Sequence, residues 1–302
     1  MTRPLSKIEW EEIQRLFRDQ NIYNVGISDA NEVDDFVKLN FLEYLKNNYH
    51  GEMKYLERNL DKRFSPQILQ PGTQSVITFI LPYYQNLPKQ WTEKISIYVT
   101  KNDYHNVAKK IGKPVIDFLQ KIDPEFHPRV YVDSAPMIDK YWAWKAGLGF
   151  IGENTLLINE QYGSYVFISN ICTSLLPPIE HIQQPHSDKC SNCKKCVAAC
   201  PTQALLHNKK LNASKCISYL TIEKKQNDYS DLSNKNTNYI YGCDICQNVC
   251  PYNSNIPQTI IDDFIFNEEE KNLLKNWAIG ISDYPKNLLQ KSVIKRKSIK
   301  KF

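Results

Sequence analysis

The chain has 302 residues, a mass of 35.2 kDa and a formal net charge of +5, with 42% hydrophobic and 24% charged residues. This composition predicts a globular protein of one large domain or two to three smaller ones. No apolar run reaches the roughly 18 residues of a membrane span, and the charged N-terminal stretch lacks the apolar segment of a signal peptide, so we expect a cytoplasmic protein without a membrane association.

The first 178 residues predict a mixed α/β domain. A capping box formed by Ser6 and Glu9 begins a helix over residues 6–20. The hydrophobic pattern then predicts an extended "NVGIS", a helical stretch near residues 35–58, strands in "SVITFILPYY" and "KISIYV", a helix from Val107 to Leu119 and a strand from Arg129 to Asp133.

The stretch "GLGFIG", from Gly147 to Gly152, matches the letters of the dinucleotide-binding motif G-x-G-x-x-G. That motif follows a strand and opens a helix, whereas this stretch follows the helix-like "MIDKYWAWKA" and precedes the strand-like "ENTLLI". We therefore predict that its glycines allow a tight turn between a helix and a strand, or a close approach of the backbone to some other large flat ligand.

The stretch "DYHNVA" nearly matches D-x-H-x-x-G, a motif that supplies a histidine to cobalt in some cobalamin proteins. Ala108 stands where that motif has glycine. We predict instead a helix start that is capped by Asp103.

Eight of the nine cysteines fall between Cys190 and Cys250. The run "CSNCKKCVAACP" has the spacing of two-cluster ferredoxins, in which three thiolates bind one 4Fe-4S cluster and the fourth binds the other. The later "CDICQNVCPYN" is a second copy that lacks one cysteine, and Cys216 fills the gap. The predicted ligands are Cys190, Cys193, Cys196 and Cys250 for cluster 1, and Cys200, Cys216, Cys243 and Cys246 for cluster 2.

Structural zinc is the alternative, because two sites of four thiolates would also use all eight cysteines. Zinc does not require the x2-x2-x3-Pro spacing, which occurs once in full and once nearly in full, so we favour iron-sulfur clusters. Cys172 stands apart in "ISNICTSLL", and we predict that it is a buried apolar residue. A ferredoxin unit needs only a small part of the chain, so the remainder is expected to hold the electron acceptor.

Long blocks of the sequence resemble the epoxyqueuosine reductase family over nearly the whole chain. The strongest are "MKYLERNLDKRFSPQILQPGTQSVI", "VDSAPMIDKYWAWKAGLGFIGENTLLIN", "GSYVFISNICTSL", "KCISYLTIE" and "IYGCDICQNVCPYN". The resemblance implies an α+β protein. It would have a nitroreductase-like, cobalamin-binding α/β domain over residues 1–178, a ferredoxin-type domain with two 4Fe-4S clusters over 179–257, and a short, helical, basic extension over 258–302.

The resemblance also implies the reaction. Two clusters would feed electrons to cobalamin, which reduces the epoxide of epoxyqueuosine in the tRNA anticodon to queuosine. Asp133 of "VDSAP" matches the catalytic acid that protonates the departing oxygen. The positions at which the family places cobalamin contacts are Arg58, Asp133, Asn154, Thr155, Ile158, Ser169 and Ser218. Taken singly, Arg58 could equally be a surface arginine, and Asn154, Thr155, Ile158 and Ser169 could be parts of core strands. Asp133 could instead form an Asx turn or a helix cap that only fixes the backbone ahead of Pro136.

Two other functions stay open at this point. A respiratory reductive dehalogenase also combines cobalamin with two 4Fe-4S clusters, but it is expected to carry a twin-arginine export signal and a catalytic tyrosine where this chain has Asp133. A non-enzymatic electron-transfer protein would use the large domain only to dock a partner.

The expected partners are tRNA and an external electron donor of the flavodoxin or ferredoxin type, and the family implies a monomer. The C-terminal stretch "KNLLQKSVIKRKSIKKF" contains no acidic residue and is a candidate for phosphate contacts. Its basic residues are Lys286, Lys291, Lys295, Arg296, Lys297, Lys300 and Lys301. A solvated surface tail is the simpler alternative.

Overall fold

The computed structural model describes residues 3–180, 184–225 and 237–296. The helices are α1 (Lys7–Arg18), α2 (Asp35–Lys46), α3 (Leu60–Phe64), α4 (Pro66–Leu69), α5 (Lys89–Thr92), α6 (Tyr104–Ile122), α7 (Asp139–Lys145), α8 (Lys195–Ala199), α9 (Ile217–Ile222), α10 (Ile245–Asn248), α11 (Glu268–Ala278) and α12 (Lys286–Lys291). The strands are β1 (Val25–Asp29), β2 (Ser75–Pro82), β3 (Val130–Tyr131), β4 (Phe150–Ile151), β5 (Leu157–Ile158), β6 (Val166–Thr173), β7 (Leu205–Leu206) and β8 (Lys210–Leu211). This mixture confirms the expected α+β class. Within the described ranges, no helix combines the length and apolar character needed to cross a membrane.

The central sheet has the strand order β1-β2-β6-β3, and each neighbouring pair is antiparallel. All residues of β2 are buried because helices cover both faces of the sheet. On one face, Ile77 and Ile171 share a core with Ile111 of α6. On the other face, Val76 and Cys172 pack with residues of α7. Cys172 is fully buried, which confirms its predicted apolar role.

The predicted helix starts are confirmed. In the capping box of α1, Ser6 Oγ accepts a hydrogen bond from the Glu9 N–H at 3.3 Å, and Glu9 Oε2 accepts one from the Ser6 N–H at 2.9 Å. At the start of α6, Asp103 Oδ1 accepts a hydrogen bond from the His105 N–H at 3.1 Å. Each bond satisfies an amide at a helix start that has no partner within the helix.

Three predicted elements differ from the structure. The helical stretch near 35–58 is interrupted, because α2 ends at Lys46 and a separate 3-10 turn spans Lys54–Glu57. The predicted strand "RVYVD" shortens to Val130–Tyr131. The segment "KISIYV" is not a strand. Its backbone bonds instead to the cysteine-bearing part of the chain, where the Ser96 N–H donates to the Tyr241 carbonyl at 2.9 Å.

The "GLGFIG" stretch forms the predicted turn between α7 and β4. Gly147 has a φ of 70°, a left-handed conformation that favours glycine. A Cβ atom added to Gly149 would lie 2.3 Å from the carbonyl oxygen of Ile158, so the neighbouring strand leaves no room for a side chain. The turn serves backbone packing, as predicted.

A buried carboxylate joins the cysteine-bearing part to the sheet domain. Asp244 is 1% exposed. Its Oδ1 accepts hydrogen bonds from Ser96 Oγ at 2.5 Å and Gln247 Nε2 at 3.1 Å, and its Oδ2 accepts one from the Ile97 N–H at 2.7 Å. Because both carboxylate oxygens of Asp244 accept hydrogen bonds, neither oxygen can be replaced by a donor such as an NH₂ group without losing these bonds.

The C-terminal helices close the same core. The buried residues Phe264, Leu274, Leu288 and Ile294 belong to the cluster that also contains the apolar residues of β2 and α6. The segment after residue 258 is therefore part of the folded body as far as the structure describes it.

We predict that Asp244→Asn lowers the free energy of unfolding by about 1–3 kcal/mol, because the amide NH₂ must face a donor from Ser96 or Ile97. Urea unfolding followed by circular dichroism measures the change. Ser96→Ala removes one bond without creating a clash of donors, so it should cost less. An Asp244→Asn protein as stable as the wild type would contradict the prediction.

Candidate functional site

The first cysteine motif is shaped by two tight turns. Ser191 and Lys194 both have a φ of 48°, and the Cys193 N–H donates to the Cys190 carbonyl at 3.1 Å. Helix α8 follows and packs against α10, which carries the second cysteine motif. The two motifs, far apart in sequence, therefore meet through these short helices.

Three thiols of the first predicted ligand set lie around Cys190. Burial raises the pKa of the Cys196 and Cys250 thiols, and a charge on Cys190 raises both further. Cys193 also acts on the pKa of Cys250. Cys193 is exposed, whereas the other three are partly buried. The set thus approaches the protein surface at Cys193.

The four thiols of the second predicted set are neighbours as well. Burial raises the pKa of Cys243 to about 12, and charges on Cys216 and Cys200 contribute to the rise. Burial also raises the pKa of Cys246, with contributions from Cys243, Cys216 and, more weakly, Cys196. The last interaction places the two sets next to each other.

Zinc sites and 4Fe-4S clusters arrange their thiolates differently. Among residues 3–180, 184–225 and 237–296, no three His, Cys, Asp or Glu side chains converge closely enough to hold a single metal ion. A zinc site places four thiolates about 2.3 Å from one ion. In a 4Fe-4S cluster, by contrast, each thiolate binds a different iron atom.

The turn between β4 and β5 connects the cysteines to the sheet domain. The backbone N–H of Glu153 lies 3.4 Å from Cys190 Sγ, and Glu153 Oε2 lies 3.2 Å from Lys194 Nζ. Asn154 and Thr155, two of the predicted cobalamin contacts, follow directly, and Thr155 has a φ of 63°. One turn therefore touches the first cysteine motif and presents predicted cofactor contacts.

Two predicted cobalamin contacts are buried side chains, each with one polar atom that lacks a partner within the described part of the chain. Asn154 is 4% exposed and its Nδ2 has no hydrogen bond, and the same holds for Oγ of the fully buried Ser169. Arg63 is buried too, and its Nε has no partner among the described residues. Such atoms are costly unless a ligand or water satisfies them.

The other predicted contacts lie in different surroundings. Ile158 is buried in β5, and Ser218 is half-buried in α9, two residues after Cys216. Arg58 is exposed after the 3-10 turn. In β6, Ser169 alternates with Asn170, so these side chains point to opposite faces of the sheet.

Asp133 lies where the starts of α6 and α7 meet. It follows β3 with a φ of 55°, a conformation that few residues other than glycine adopt. Its Oδ2 accepts a hydrogen bond from Tyr104 Oη at 2.9 Å and lies 3.3 Å from His105 Nε2. On the other side of the imidazole, Nδ1 lies 2.7 Å from Asp103 Oδ1. The Asp133 side chain is 62% exposed, so the protein alone does not bury it.

The structure adds an acidic residue that the sequence analysis missed. Asp139 accepts a hydrogen bond from Asn170 Nδ2 at 2.7 Å, and Thr78 Oγ1 donates to the Asn170 side chain at 2.7 Å. Burial, and after it the charge of Asp133, raise the pKa of Asp139 to about 8. In sequence, Asp139 resembles any acidic residue at a helix start, so only the buried partner Asn170 distinguishes it.

Two family models match the chain. "Epoxyqueuosine reductase QueG, DUF1730" matches residues 63–134, and "4Fe-4S double cluster binding domain" matches residues 189–253. The epoxyqueuosine reductase of Leadbetterella byssophila is 41% identical over 254 residues, which cover 84% of this chain and 82% of the relative.

Solved structures of similar proteins agree. An epoxyqueuosine reductase bound to an epoxyqueuosine-modified stem loop of tyrosine tRNA is 28% identical, with a TM-score of 0.71 over 86% of this chain and 68% of that one. An epoxyqueuosine reductase from Bacillus subtilis, with its aspartate-bearing catalytic loop swung out of the active site, is 25% identical. Its TM-score is 0.69, over 91% of this chain and 82% of that one. Together with the identity to the curated relative, these matches show that the chain belongs to the epoxyqueuosine reductase family.

Proposed function

We propose that this chain reduces the epoxide of epoxyqueuosine in the wobble position of a tRNA anticodon to queuosine, with electrons supplied through two 4Fe-4S clusters and cobalamin. The observation that carries the proposal is the placement of Asp133. Its exposed carboxyl has two hydrogen-bonding neighbours, and it belongs to a domain that also contains buried polar atoms without a partner among the described residues and that contacts the first cysteine motif.

We assign cluster 1 to the set that contains Cys190 and cluster 2 to the set that contains Cys216. The exposed Cys193 makes cluster 1 the entry point for an external donor of the flavodoxin or ferredoxin type. We assign the transfer to the cofactor to cluster 2, because Cys216 is followed closely by Ser218, a proposed cobalamin contact, while the turn that carries Asn154 and Thr155 touches Cys190 of cluster 1. Electrons would pass from the donor through cluster 1 and cluster 2 to cobalt.

The described residues suit a large polar cofactor. Asn154 Nδ2 and Ser169 Oγ are buried and have no protein partner among the described residues, so they can bond amide groups on the rim of cobalamin. Thr155, Ile158, Ser218 and Arg58 complete the proposed contacts. When bound, reduced cobalamin would supply the nucleophile that opens the epoxide.

Asp133 is the proposed general acid. An epoxide oxygen leaves readily only when it is protonated, so a donor must lie within hydrogen-bond reach of it. Asp133 is exposed at the site, and the hydrogen bond from Tyr104 and the contact with His105 aim its carboxyl. Bound cofactor and substrate would bury this carboxyl and raise its pKa toward the value that a donor needs at neutral pH.

The tRNA would be held by basic residues near this site. The Asp103 N–H donates to the Lys291 carbonyl at 2.7 Å, and Lys295 Nζ lies 3.7 Å from Asp103 Oδ2. Lys286 and Lys291 are exposed on α12. The side chain of Arg296 and residues 297–302, which include Lys297, Lys300 and Lys301, lie outside the described residues.

We further propose a cytoplasmic monomer with the domain limits 1–178, 179–257 and 258–302.

The test of the function is direct. The anaerobically reconstituted protein, a viologen reductant and epoxyqueuosine-containing tRNA should yield queuosine, detected by nucleoside mass spectrometry. A protein with intact clusters and bound cobalamin that forms no queuosine would overturn the proposal.

We predict that Asp133→Asn retains the clusters, cobalamin and tRNA binding but lowers turnover by roughly 10²- to 10⁴-fold. Asparagine keeps most of the hydrogen bonds but has no proton to give. Single-turnover formation of queuosine measures the effect. Turnover near that of the wild type would show that Asp133 only shapes the loop.

We predict that Cys216→Ala lowers the iron content from about eight atoms per chain to about four, because cluster 2 loses one of its thiolates. Iron analysis and electron paramagnetic resonance after reduction measure the loss. Cys172→Ala is the matched control, since Cys172 is buried in the sheet domain. Full iron content in Cys216→Ala would refute the assignment of this ligand.

We predict that Lys286→Gln and Lys291→Gln together weaken tRNA binding. They should also reduce the slope of log K against log salt by about 1 for each phosphate that the protein no longer neutralises. Substitution is preferred to truncation because Leu288 and Ile294 are buried in the core. Lys121→Gln, at the distant end of α6, is the control. An unchanged slope would make α12 an ordinary solvated surface.

A further inference from the structure

The reduction of an epoxide to an alkene consumes two protons. One is added to the ring oxygen when the first carbon–oxygen bond breaks, and the second is needed when the resulting hydroxyl leaves as water. A single carboxyl holds one proton. Asp133 therefore supplies one of the two protons at a time, and a second donor, either a neighbouring side chain or water, must restore its proton between the two steps.

We propose that His105 is this second donor and acts through Asp133, an inference that rests on the function proposed above. His105 Nε2 faces Asp133 Oδ2 at 3.3 Å, a distance that is long for a hydrogen bond but common in sites without substrate. The stretch "DYHNVA" thus has a role beyond starting α6.

The surroundings of His105 suit a proton donor. His105 is 6% exposed, and Asp103, which is 4% exposed, lies 2.7 Å from its Nδ1. A carboxylate at Nδ1 fixes the ring orientation, leaves Nε2 directed at Asp133, and stabilises the imidazolium. Lys295 Nζ lies 3.7 Å from Asp103 Oδ2.

Other groups face Asp133 but suit the role less well. Tyr104 Oη is 2.9 Å from Oδ2, yet a phenol has an ordinary pKa of about 10 and holds its proton at neutral pH. Tyr55 and Tyr98 also lie near Asp133, and burial raises the pKa of both. The Asp139 carboxyl accepts a hydrogen bond from Asn170 Nδ2 at 2.7 Å, whereas His105 Nε2 lies directly opposite Asp133 Oδ2.

This arrangement accounts for both protons and both electrons that the reaction consumes. Asp133 protonates the epoxide oxygen as the first bond breaks, and the His105 imidazolium then returns a proton to the Asp133 carboxylate. Asp133 protonates the hydroxyl, which leaves as water as the alkene forms. The two electrons come from a protein electron carrier through the clusters and cofactor. His105 and Asp133 recover their protons from solvent after product release.

The kinetic test compares His105→Gln with Asp103→Asn, Asp139→Asn and Lys121→Gln. His105→Gln should lower kcat by about 10²-fold with little change in KM, because glutamine can bond Asp133 but cannot give up a proton. Asp103→Asn should lower kcat in the same way, because the ring is no longer held in its orientation. Asp139→Asn should have a smaller effect, and Lys121→Gln none.

A second measurement does not depend on turnover. Nitrogen-15 NMR of the chain's six histidines, with oxidised clusters and no tRNA, follows their titration, and His105→Gln assigns the relevant signal. Asp133→Asn should lower the pKa of His105, because it removes a facing anion. Lys121→Gln should leave that pKa unchanged.

Three results would overturn the inference: a wild-type kcat in His105→Gln, a larger kcat loss in Asp139→Asn than in His105→Gln, or an unchanged pKa of His105 in Asp133→Asn. A wild-type protein that forms no queuosine overturns the proposed function, and the proton role falls with it even if the NMR linkage is present. If the wild-type protein forms queuosine but any of the three results is obtained, only the proton role of His105 is overturned.

Discussion

The buried carboxylate of Asp244 holds the cysteine-bearing segment against the sheet domain. It accepts bonds from Ser96 and from the backbone of Ile97, in a stretch whose alternating pattern predicts a strand. Because these donors are used by Asp244 and Tyr241, the segment cannot form regular strand pairing. The second cysteine motif is fixed in place by the same contacts, and the spacing between clusters and cofactor depends on them.

The proposed active site is built from two helix starts and the loop between them rather than from one strand end. Tyr104 and His105 come from the first turn of α6, Asp139 begins α7, and Asp133 lies in the loop that joins β3 to α7. The short β3 leaves this loop free of sheet hydrogen bonds. Asp133 can therefore adopt a left-handed conformation and turn its carboxyl toward α6.

Unsatisfied polar atoms and cysteine contacts occur side by side in the β4–β5 turn. Glu153 touches Cys190 through its backbone, and Asn154 leaves a buried amide without a partner among the described residues. A single turn therefore lies between the first cysteine motif and the residues proposed to contact the cofactor.

The sequence by itself determined the parts whose chemistry is local. The spacing of the cysteines indicated iron-sulfur ligation, the Ser6 and Asp103 caps predicted helix starts, and the order of elements around Gly147 excluded a dinucleotide site. These features depend on neighbours within a few residues, which a single sequence displays. The family resemblance added Asp133, although nothing in "VDSAP" alone distinguishes a catalytic acid from a turn residue.

Only the tertiary structure decided which distant groups meet. His105 came to face Asp133, Asp139 acquired the buried partner Asn170, and Ser169 was placed on the opposite side of the sheet from Asn170. The stretch "KISIYV" does not form its predicted strand, because its backbone bonds to Asp244, more than 140 residues away in sequence. Pairing between remote segments depends on the packing of the whole chain, and for that reason local pattern could not predict it.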